Sequence, residues 1–344
     1  MEFDKAGLRS FADSTAICED GETLRERLHA DGYLFLRGLL SVEPLAALRR
    51  KCLNVIAEAG WLREDQPSDD AAARPEAACV DPDDAFVAVL RRLYRFEALH
   101  ALPHQSALID LFERILGGAV LAHPLVIPRI VFPKRAEFTT PPHQDYVHIQ
   151  GTPETYTAWV PLDDCPMSRG ALSVARSSHK QGVHDFAVSN GAGGMIVSDP
   201  LEGTWHAEDF ALGDVLIFHS LSVHRALPNL SDNLRQSIDM RFQRASDPVT
   251  ELSLSPYAGM GTWENIYEGW SGDVPQYYWW DATPRIVPFD RQYYERRDSI
   301  AFEMAERGDG EARAALQRIV QRDPDAAKRD KASQLIGKLD SVAV

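Results

Sequence analysis

The chain has 344 residues, of which 44% are hydrophobic and 25% are charged, a composition typical of globular proteins that bury a large core. Its formal net charge of −15 argues against nucleic acid and anionic membrane surfaces as partners, because both attract clustered lysine and arginine. No stretch approaches about 18 uninterrupted apolar residues, so we expect no membrane span and a small-molecule partner.

The spacing of the four cysteines indicates the cellular compartment of the protein. Cys18, Cys52, Cys79 and Cys165 lie far apart and form no CxxC pair. This spacing fits reduced thiols, so we expect a cytoplasmic protein. The N-terminus lacks a basic region followed by an apolar run, and no secretory signal is predicted.

The N-terminal part is predicted to be mainly helical, with one early strand. The predicted elements are a helix at 23–31 that ends at Gly32, a strand at Tyr33–Leu36, a helix from the N-cap Ser41 to residue 59, a loop at 64–84, and helices at 84–99 and 105–116. The loop is either a surface insertion or a segment near a site opening. The helices at 84–99 and 105–116 are expected to cover one face of a sheet.

From Val120 onward the pattern changes to short apolar runs broken by Pro, Gly, Asn and Asp. These runs lie at 125–132, 155–162, 172–175, 215–218 and 236–242. Such closely spaced strands are typical of a β-sandwich or barrel. There is no βαβ alternation, and the glycine cluster at 191–194 does not fit a phosphate-binding loop, so a Rossmann fold is disfavoured.

A metal site is indicated by His143 and Asp145, which lie two residues apart. On a strand both side chains would point to one face and could reach one ion. A second histidine would complete the two-histidine, one-carboxylate set that binds non-haem Fe(II). The candidates downstream are His148, His179, His184, His206, His219 and His224. His224 is favoured over His219, its main rival, because it follows a strand and precedes the turn at 228–233.

Arg235 and Ser237 are also two residues apart, so on a strand they share a face. A guanidinium fork beside a hydroxyl suits a carboxylate. Next to an Fe(II) site, such a receptor fits the far carboxylate of a 2-oxo dicarboxylic acid. The cosubstrate is therefore expected to be 2-oxoglutarate.

The order and spacing of several motifs resemble the phytanoyl-CoA dioxygenase family of Fe(II)- and 2-oxoglutarate-dependent oxygenases, over about residues 20 to 245. The motifs are the segment 31–38, His143-Gln144-Asp145, Ala158-Trp159, the segments 170–174 and 177–180, the segment 224–231, and Arg235. The resemblance implies a double-stranded β-helix (jelly-roll, cupin-like) core. Together with the helices that the sequence pattern predicts, the expected fold is mainly β with flanking helices, with N-terminal helices before this core and a C-terminal helical extension after it.

The resemblance also implies the site. His143, Asp145 and His224 would bind Fe(II), Arg235 would pair with the far carboxylate of 2-oxoglutarate, and Trp159 would line the cosubstrate pocket. Our own addition is Arg129, whose predicted strand flanks this pocket, so that it would contact cosubstrate or substrate. The implied enzyme is an oxidoreductase, a dioxygenase that uses O2 to hydroxylate a small organic molecule and releases succinate and CO2.

Several alternatives stay open. Related halogenases carry a small residue at the position of Asp145, so its presence favours oxidation over halogenation. Desaturation, cyclisation or epimerisation would use the same iron residues as hydroxylation. A non-catalytic, cupin-like binding protein is the alternative of another class. The acyl-CoA substrate of the family is not expected here, because the acidic chain shows no basic patch for the CoA phosphates.

The C-terminal part departs from the resemblance. An aromatic segment from Tyr257 to Trp280 is expected to pack on the barrel, to form a homodimer contact, or to cover the substrate site. Amphipathic helices follow from residue 290 to 339, and their Glu, Arg and Lys residues are interpreted as solvated faces. We therefore predict a jelly-roll domain with its helices at 1–247, an aromatic loop segment at 248–289 and a helical extension at 290–344.

Overall fold

The computed structural model describes residues 6–189 and 192–342. Within this part, eleven α-helices occur in chain order: α1 (Gly21–Asp31), α2 (Val42–Glu58), α3 (Asp84–Leu93), α4 (Glu97–Ala101), α5 (Ser106–Leu116), α6 (Tyr146–Ile149), α7 (Trp263–Tyr267), α8 (Trp279–Ala282), α9 (Gln292–Glu306), α10 (Arg313–Arg322) and α11 (Ala326–Val342). Of the glycine cluster at 191–194, the first residue lies outside the described residues.

Thirteen strands are formed by the same described residues: β1 (Tyr33–Leu36), β2 (Val120–Ala122), β3 (Ile127–Val131), β4 (Tyr156–Pro161), β5 (Leu172–Ala175), β6 (Phe186–Val188), β7 (Met195–Val197), β8 (Trp205–Ala207), β9 (Val215–His219), β10 (His224–Ala226), β11 (Arg235–Arg244), β12 (Val249–Thr250) and β13 (Ile286–Val287). Every strand run that the sequence predicted is present, with ends that shift by a few residues.

Two antiparallel sheets form the core. The larger has the order β1-β9-β4-β11, and both β2 and β3 pair with β11; the smaller has the order β10-β5-β8. Apolar residues from both sheets form one cluster, which includes Phe35, Trp159, Val174 and Phe218, so the sheets face each other. The predicted double-stranded β-helix with flanking helices is confirmed, although helices contain more residues than strands.

Strand β11 shows how the two faces of the large sheet divide. Ile238, Met240 and Phe242 alternate along it and belong to the cluster between this sheet and the N-terminal helices. Phe242 stacks on Phe112 of α5, with ring centroids 4.1 Å apart. The intervening residues are polar and point into the barrel. The helices therefore close the apolar outer face, and the inner face is left for chemistry.

The N-terminal helices differ from prediction in one place. The helix expected at 84–99 is interrupted, because Phe96 is extended (φ −73°, ψ 116°) and separates α3 from α4. The interruption lets the buried Tyr94 ring pack edge-on against His100, with centroids 5.0 Å apart. No glycine or proline lies at this bend, so the sequence carried no signal for it.

Gly32 ends α1 as predicted and has φ +80°, a left-handed conformation that glycine adopts without strain. A Cβ atom there would lie 2.5 Å from His179 Nδ1, so a side chain is also excluded by space. The sharp turn delivers β1 directly into the large sheet.

The C-terminal region has two parts. Trp263 and Trp279 of the aromatic segment are buried in the outer core, whereas Trp280 is 64% exposed. Helices α9, α10 and α11 pack on one another around a separate cluster of small and aliphatic residues. The division at residues 247 and 289 stays a prediction.

All four cysteines are free thiols, three of them buried. Among the described helices, none combines the length and the apolarity needed to cross a membrane.

Candidate active site

The site begins with an antiparallel bridge between two histidines. The backbone N–H of His143 donates to the carbonyl of His224, and the N–H of His224 donates back, both at 3.0 Å. His224 starts β10, where it lies opposite Val174 of β5. The bridge places the two imidazoles side by side, with ring centroids 4.2 Å apart.

Asp145 reaches the same point by a different route from the predicted one. The sequence argument put His143 and Asp145 on one strand, but His143 lies in an isolated bridge and Asp145 has helical angles (φ −65°, ψ −31°) just before α6. The argument from strand geometry was therefore wrong for Asp145. A change from extended to helical backbone brings the carboxylate to the histidines instead.

The three side chains form a compact set of ligand atoms. Nε2 of His143 and Nε2 of His224 each lie 3.9 Å from Oδ1 of Asp145, and all three ligand atoms lie within 4.8 Å of one another. The set is buried. Two imidazoles and a carboxylate in this arrangement suit non-haem Fe(II).

Each histidine is oriented through its other ring nitrogen. Nδ1 of His143 is 2.8 Å from the Pro141 carbonyl, and Nδ1 of His224 is 3.1 Å from the Ser222 carbonyl. Because a carbonyl only accepts, each Nδ1 carries the proton and each Nε2 presents its lone pair to the shared centre. Neither imidazole needs to turn in order to bind a metal ion.

Protonation states at the site also favour metal binding. Burial lowers the pKa of both imidazoles, and a proton on His224 would disfavour one on His143 and so lowers the pKa of His143 further. Burial raises the pKa of Asp145, but the charge of Arg241 and the hydrogen bond from Thr157 help to hold that pKa well below its usual range. Neutral imidazoles and an ionised carboxylate are the forms that bind metal.

The sequence argument did not find the partners that fix Asp145. Thr157 donates to its Oδ2 at 2.6 Å, and Arg241 donates to the same oxygen through Nη2 at 3.1 Å. Oδ1 is thereby left for the metal. The signal was present in β11, since Arg241 continues the two-residue alternation of Arg235, Ser237 and Asp239.

Arg235 lies in a smaller cavity of about 60 Å³, which His143, His224 and Trp159 also line. The guanidinium is buried, and it lies 5.7 Å from the centre of the Trp159 ring. Its Nε has no hydrogen-bond partner among the described residues, and burial lowers its pKa. A buried, under-bonded guanidinium beside a metal site is a receptor for an anion.

Ser237 and Arg129 occupy different places near this cavity. Ser237 lines neither cavity; its hydroxyl accepts a hydrogen bond of 2.6 Å from Nη1 of Arg235 and holds that side chain in position. Arg129 lies between the two cavities and lines both. Its Nε donates to Asp239 at 2.7 Å.

A larger cavity of about 310 Å³ opens on the metal side. His143, Asp145 and Arg241 line it from the barrel, and residues of α9 and α10 line it from the C-terminal extension. From the aromatic segment, the ring of Tyr257 lines this cavity. Asp81 also lines it, so the loop at 64–84 does lie near the site.

The other candidate histidines do not join the metal cluster. His219, the last residue of β9, pairs with Glu154 at 3.5 Å, and His184 pairs with Asp199 at 2.6 Å. His148 lies on α6 and bonds through Nδ1 to the Tyr294 hydroxyl at 2.9 Å. Of the six candidates, the structure brings His224 to His143 and Asp145.

Residues 28–237 match the family described as Phytanoyl-CoA dioxygenase (PhyH), and this segment is more than half of the chain. The match contains all three residues of the metal cluster and Arg235. It ends before Arg241 and before the C-terminal extension.

Two bacterial relatives have the same printed name, 1-deoxypentalenic acid 11-beta-hydroxylase. The protein from Streptomyces exfoliatus is 28% identical over 266 residues, which cover 73% of this chain and 90% of the relative. The protein from Streptomyces arenae is 26% identical over 271 residues, which cover 72% and 89%.

Among solved structures, the epimerase SnoN from nogalamycin biosynthesis, in complex with Fe3+, alpha ketoglutarate and nogalamycin RO, matches with a TM-score of 0.48 and 22% identity. The match covers 66% of this chain and 84% of that one. The non-heme monooxygenase ThoJ matches with a TM-score of 0.45 and 15% identity over 91% of this chain and 99% of its own.

Proposed function

We propose, since the chain belongs to the phytanoyl-CoA dioxygenase family, that His143, Asp145 and His224 hold the catalytic Fe(II) and that Arg235 binds 2-oxoglutarate. The enzyme is a 2-oxoglutarate-dependent non-haem iron dioxygenase that hydroxylates a small organic molecule and releases succinate and CO2. The convergence of two Nε2 atoms on one carboxylate oxygen, each at 3.9 Å, carries the assignment of the iron ligands.

The residues present fit the metal. Two neutral imidazoles and one carboxylate leave open positions for cosubstrate and oxygen, as non-haem Fe(II) oxygenases require. The hydrogen bonds from Thr157 and Arg241 to Oδ2 favour one-oxygen ligation by Asp145. Bound Fe(II) with 2-oxoglutarate supplies the activation of O2.

The cosubstrate pocket is the cavity shared by the histidines, Trp159 and Arg235. In our assignment Arg235 binds the far carboxylate, and Ser237 orients Arg235 through their 2.6 Å hydrogen bond. Trp159 is fully buried and supplies an apolar wall that excludes water from this end. Arg129 separates the cosubstrate pocket from the larger cavity and is proposed to contact whichever ligand lies between them.

The larger cavity is proposed to hold the substrate, because it adjoins the metal ligands His143 and Asp145 and is lined by apolar side chains as well as charged ones. Hydroxylation is supported by the two Streptomyces relatives, which are both named as hydroxylases. Desaturation, cyclisation and epimerisation would use the same residues, and the mass of the product distinguishes them.

Two further expectations from the sequence remain proposals. A cytoplasmic location is supported by the four free thiols. A homodimer would be supported by light scattering at twice the chain mass of 38.4 kDa.

The experiment that tests the function incubates the purified protein with Fe(II), 2-oxoglutarate, O2 and a library of small metabolites. We expect succinate to form only with Fe(II) present, and one metabolite to gain the mass of one oxygen atom. His224→Ala should abolish both signals, and His219→Ala should keep them. Succinate formation that survives His224→Ala would refute the assignment.

A further inference from the structure

The C-terminal extension forms part of the wall of the larger cavity, whereas its sequence predicted helices whose charged faces are solvated. Tyr294 of α9 bonds to His148, which lies three residues after Asp145 on α6. Arg297 of α9 donates to the carbonyl of Gly193 at 3.3 Å. These contacts tie α9 to the metal end of the barrel, so its side chains face whatever occupies the cavity.

The extension brings an unusual concentration of arginine to this cavity. Six arginines line it: Arg129, Arg241, Arg291, Arg297, Arg318 and Arg322. The last four belong to the extension, and Arg297 and Arg318 are buried. The sequence interpretation placed the charges of these helices on solvated faces, and it was wrong for the buried Arg297 and Arg318. Arg291 and Arg322 keep contact with solvent at the rim of the cavity.

Carboxylates offset these charges only in part. Arg318 and Arg322 share Asp81, and Arg291 shares Asp323 with Lys328. Behind the lining, Asp239 pairs with Arg129, and Asp298 pairs with Arg297 and Lys328. With Asp145 included, seven cationic side chains meet five carboxylates.

The positive excess is local, because the whole chain has a formal charge of −15. It also persists in the loaded enzyme, since Fe(II) and 2-oxoglutarate carry equal and opposite charges. Buried positive charge in a region of low dielectric constant favours an anionic ligand more strongly than surface charge does.

The lining includes a guanidinium donor that has no hydrogen-bond partner among the described residues. Nη1 of Arg241 is buried and has no hydrogen bond to any described residue, while Nη2 and Nε hold Asp145. A buried guanidinium donor left open in this way is stabilised when a ligand oxygen reaches it. It offers a hydrogen bond at the metal end of the cavity.

We propose that the substrate carries an anionic head group, a carboxylate or a phosphate, which the arginines of α9 and α10 bind. Its apolar body would then lie along Leu125, Ile149 and Tyr257 toward the metal, since these side chains line the rest of the cavity. This inference rests on the proposed function, because it assigns the larger cavity to the substrate.

The test measures binding of three probes with one apolar chain and different heads: octanoate, octyl phosphate and octan-1-ol. Isothermal titration calorimetry follows each probe into the full chain, loaded with Ni(II) and one equivalent of 2-oxoglutarate so that no turnover occurs. We expect one of the two anions to bind at least about tenfold more tightly than the alcohol. The tighter anion distinguishes a carboxylic acid from a phosphate ester.

Substitutions of arginines in the C-terminal extension test whether the anionic head group binds there. Arg291→Gln and Arg322→Gln should each weaken anion binding about tenfold and leave alcohol binding unchanged, whereas Arg322→Lys should retain most of the affinity because it keeps the charge. Arg313→Gln is the matched control, since Arg313 lies on α10 but pairs with Asp340 outside the cavity. Circular dichroism checks that each variant is folded.

The inference is overturned if the alcohol binds as tightly as both anions, if neither anion binds, or if both Gln variants bind the anion like the wild type. Loading with Ni(II) and 2-oxoglutarate is measured first and separately. Failed loading counts against the proposed function, and the anion titration is then run on the unloaded protein. Failed anion binding on a loaded protein counts against this inference alone.

Discussion

At the residue scale, the site depends on hydrogen bonds that leave one atom of each ligand free. Carbonyls take the Nδ1 protons of His143 and His224, and Thr157 with Arg241 occupies one oxygen of Asp145. Mutation of residues that orient metal ligands typically weakens metal binding by about tenfold to a hundredfold. Arg241 is the charged member of these partners, and it is buried.

Arg241→Ala should weaken Fe(II) binding by about tenfold to a hundredfold, because Asp145 loses its charged partner and is free to turn. An anaerobic titration with Fe(II) measures this affinity. Arg244→Ala is the control on the same strand, since Arg244 bonds to the carbonyl of Leu116 outside the barrel. Unchanged Fe(II) affinity in Arg241→Ala would show that Asp145 is held by Thr157 alone.

Arg235→Ala should raise the KM for 2-oxoglutarate by about thirtyfold to several hundredfold, the equivalent of about 2 to 4 kcal/mol for a lost charge-assisted, two-point contact. The KM for the primary substrate should change much less. Ser237→Ala should cause a smaller rise, because Ser237 touches Arg235 and not the cavity. Equal increases in both KM values would remove Arg235 from the cosubstrate pocket.

At the element scale, period and turn signals predicted most of the barrel. Strand β11 was found from its apolar run, and the two-residue spacing correctly paired Arg235 with Ser237. The same spacing points to Arg241, but its role depends on where α6 places Asp145. That placement arises because the backbone changes from extended to helical after Gln144, and no local sequence motif predicts this change.

The C-terminal helices show what a sequence alone leaves undetermined. Their amphipathic pattern predicted helices, and α9, α10 and α11 are present. The amphipathic pattern does not show which polar face of each helix is exposed to solvent and which packs against another part of the protein. Arg313 and Arg322 lie on one helix, yet only the second lines the cavity.

The aromatic segment contains a buried tryptophan, Trp263, and an exposed one, Trp280, whose variants can be compared to test whether the segment stabilises the fold. Trp263 is buried, and its Nε1 donates to the Leu254 carbonyl at 2.9 Å, whereas Trp280 is 64% exposed. Trp263→Ala should lower the free energy of unfolding by about 3 to 5 kcal/mol. Trp280→Ala should change it by less than about 0.5 kcal/mol.

Urea unfolding measures both free energies, and the ratio of succinate to hydroxylated product measures coupling in the same variants. Neither tryptophan lines the larger cavity, so coupling should stay at the wild-type value in both. A rise in succinate per product in either variant would restore the hypothesis that the tryptophans cover the substrate.

At the scale of the whole molecule, buried histidines make folding sensitive to acid. Burial lowers the pKa of His100 to about 4 and that of His123 to about 4, from an ordinary value of 6.5. Below pH 6.5 the unfolded chain binds protons at these imidazoles that the folded chain does not bind. Stability present above pH 6.5 is therefore lost as the pH falls toward 4.

Each such histidine contributes at most about 1.4 kcal/mol of unfolding free energy per pH unit in this window. His100→Gln should flatten the loss of stability between about pH 6.5 and pH 4.5, because the amide does not titrate but can still donate to the Tyr94 carbonyl. His29→Gln, at an exposed position on α1, is the control. An unchanged slope in His100→Gln would contradict this explanation.

The central claim is that one metal ion binds between His143, Asp145 and His224. Anaerobic calorimetric titration of Fe(II) into the wild type, His224→Ala and His219→Ala tests it most directly. The wild type and His219→Ala should each bind one equivalent, and His224→Ala should bind Fe(II) at least about a hundredfold more weakly. Full Fe(II) affinity in His224→Ala, with its loss in His219→Ala, would contradict the site described here.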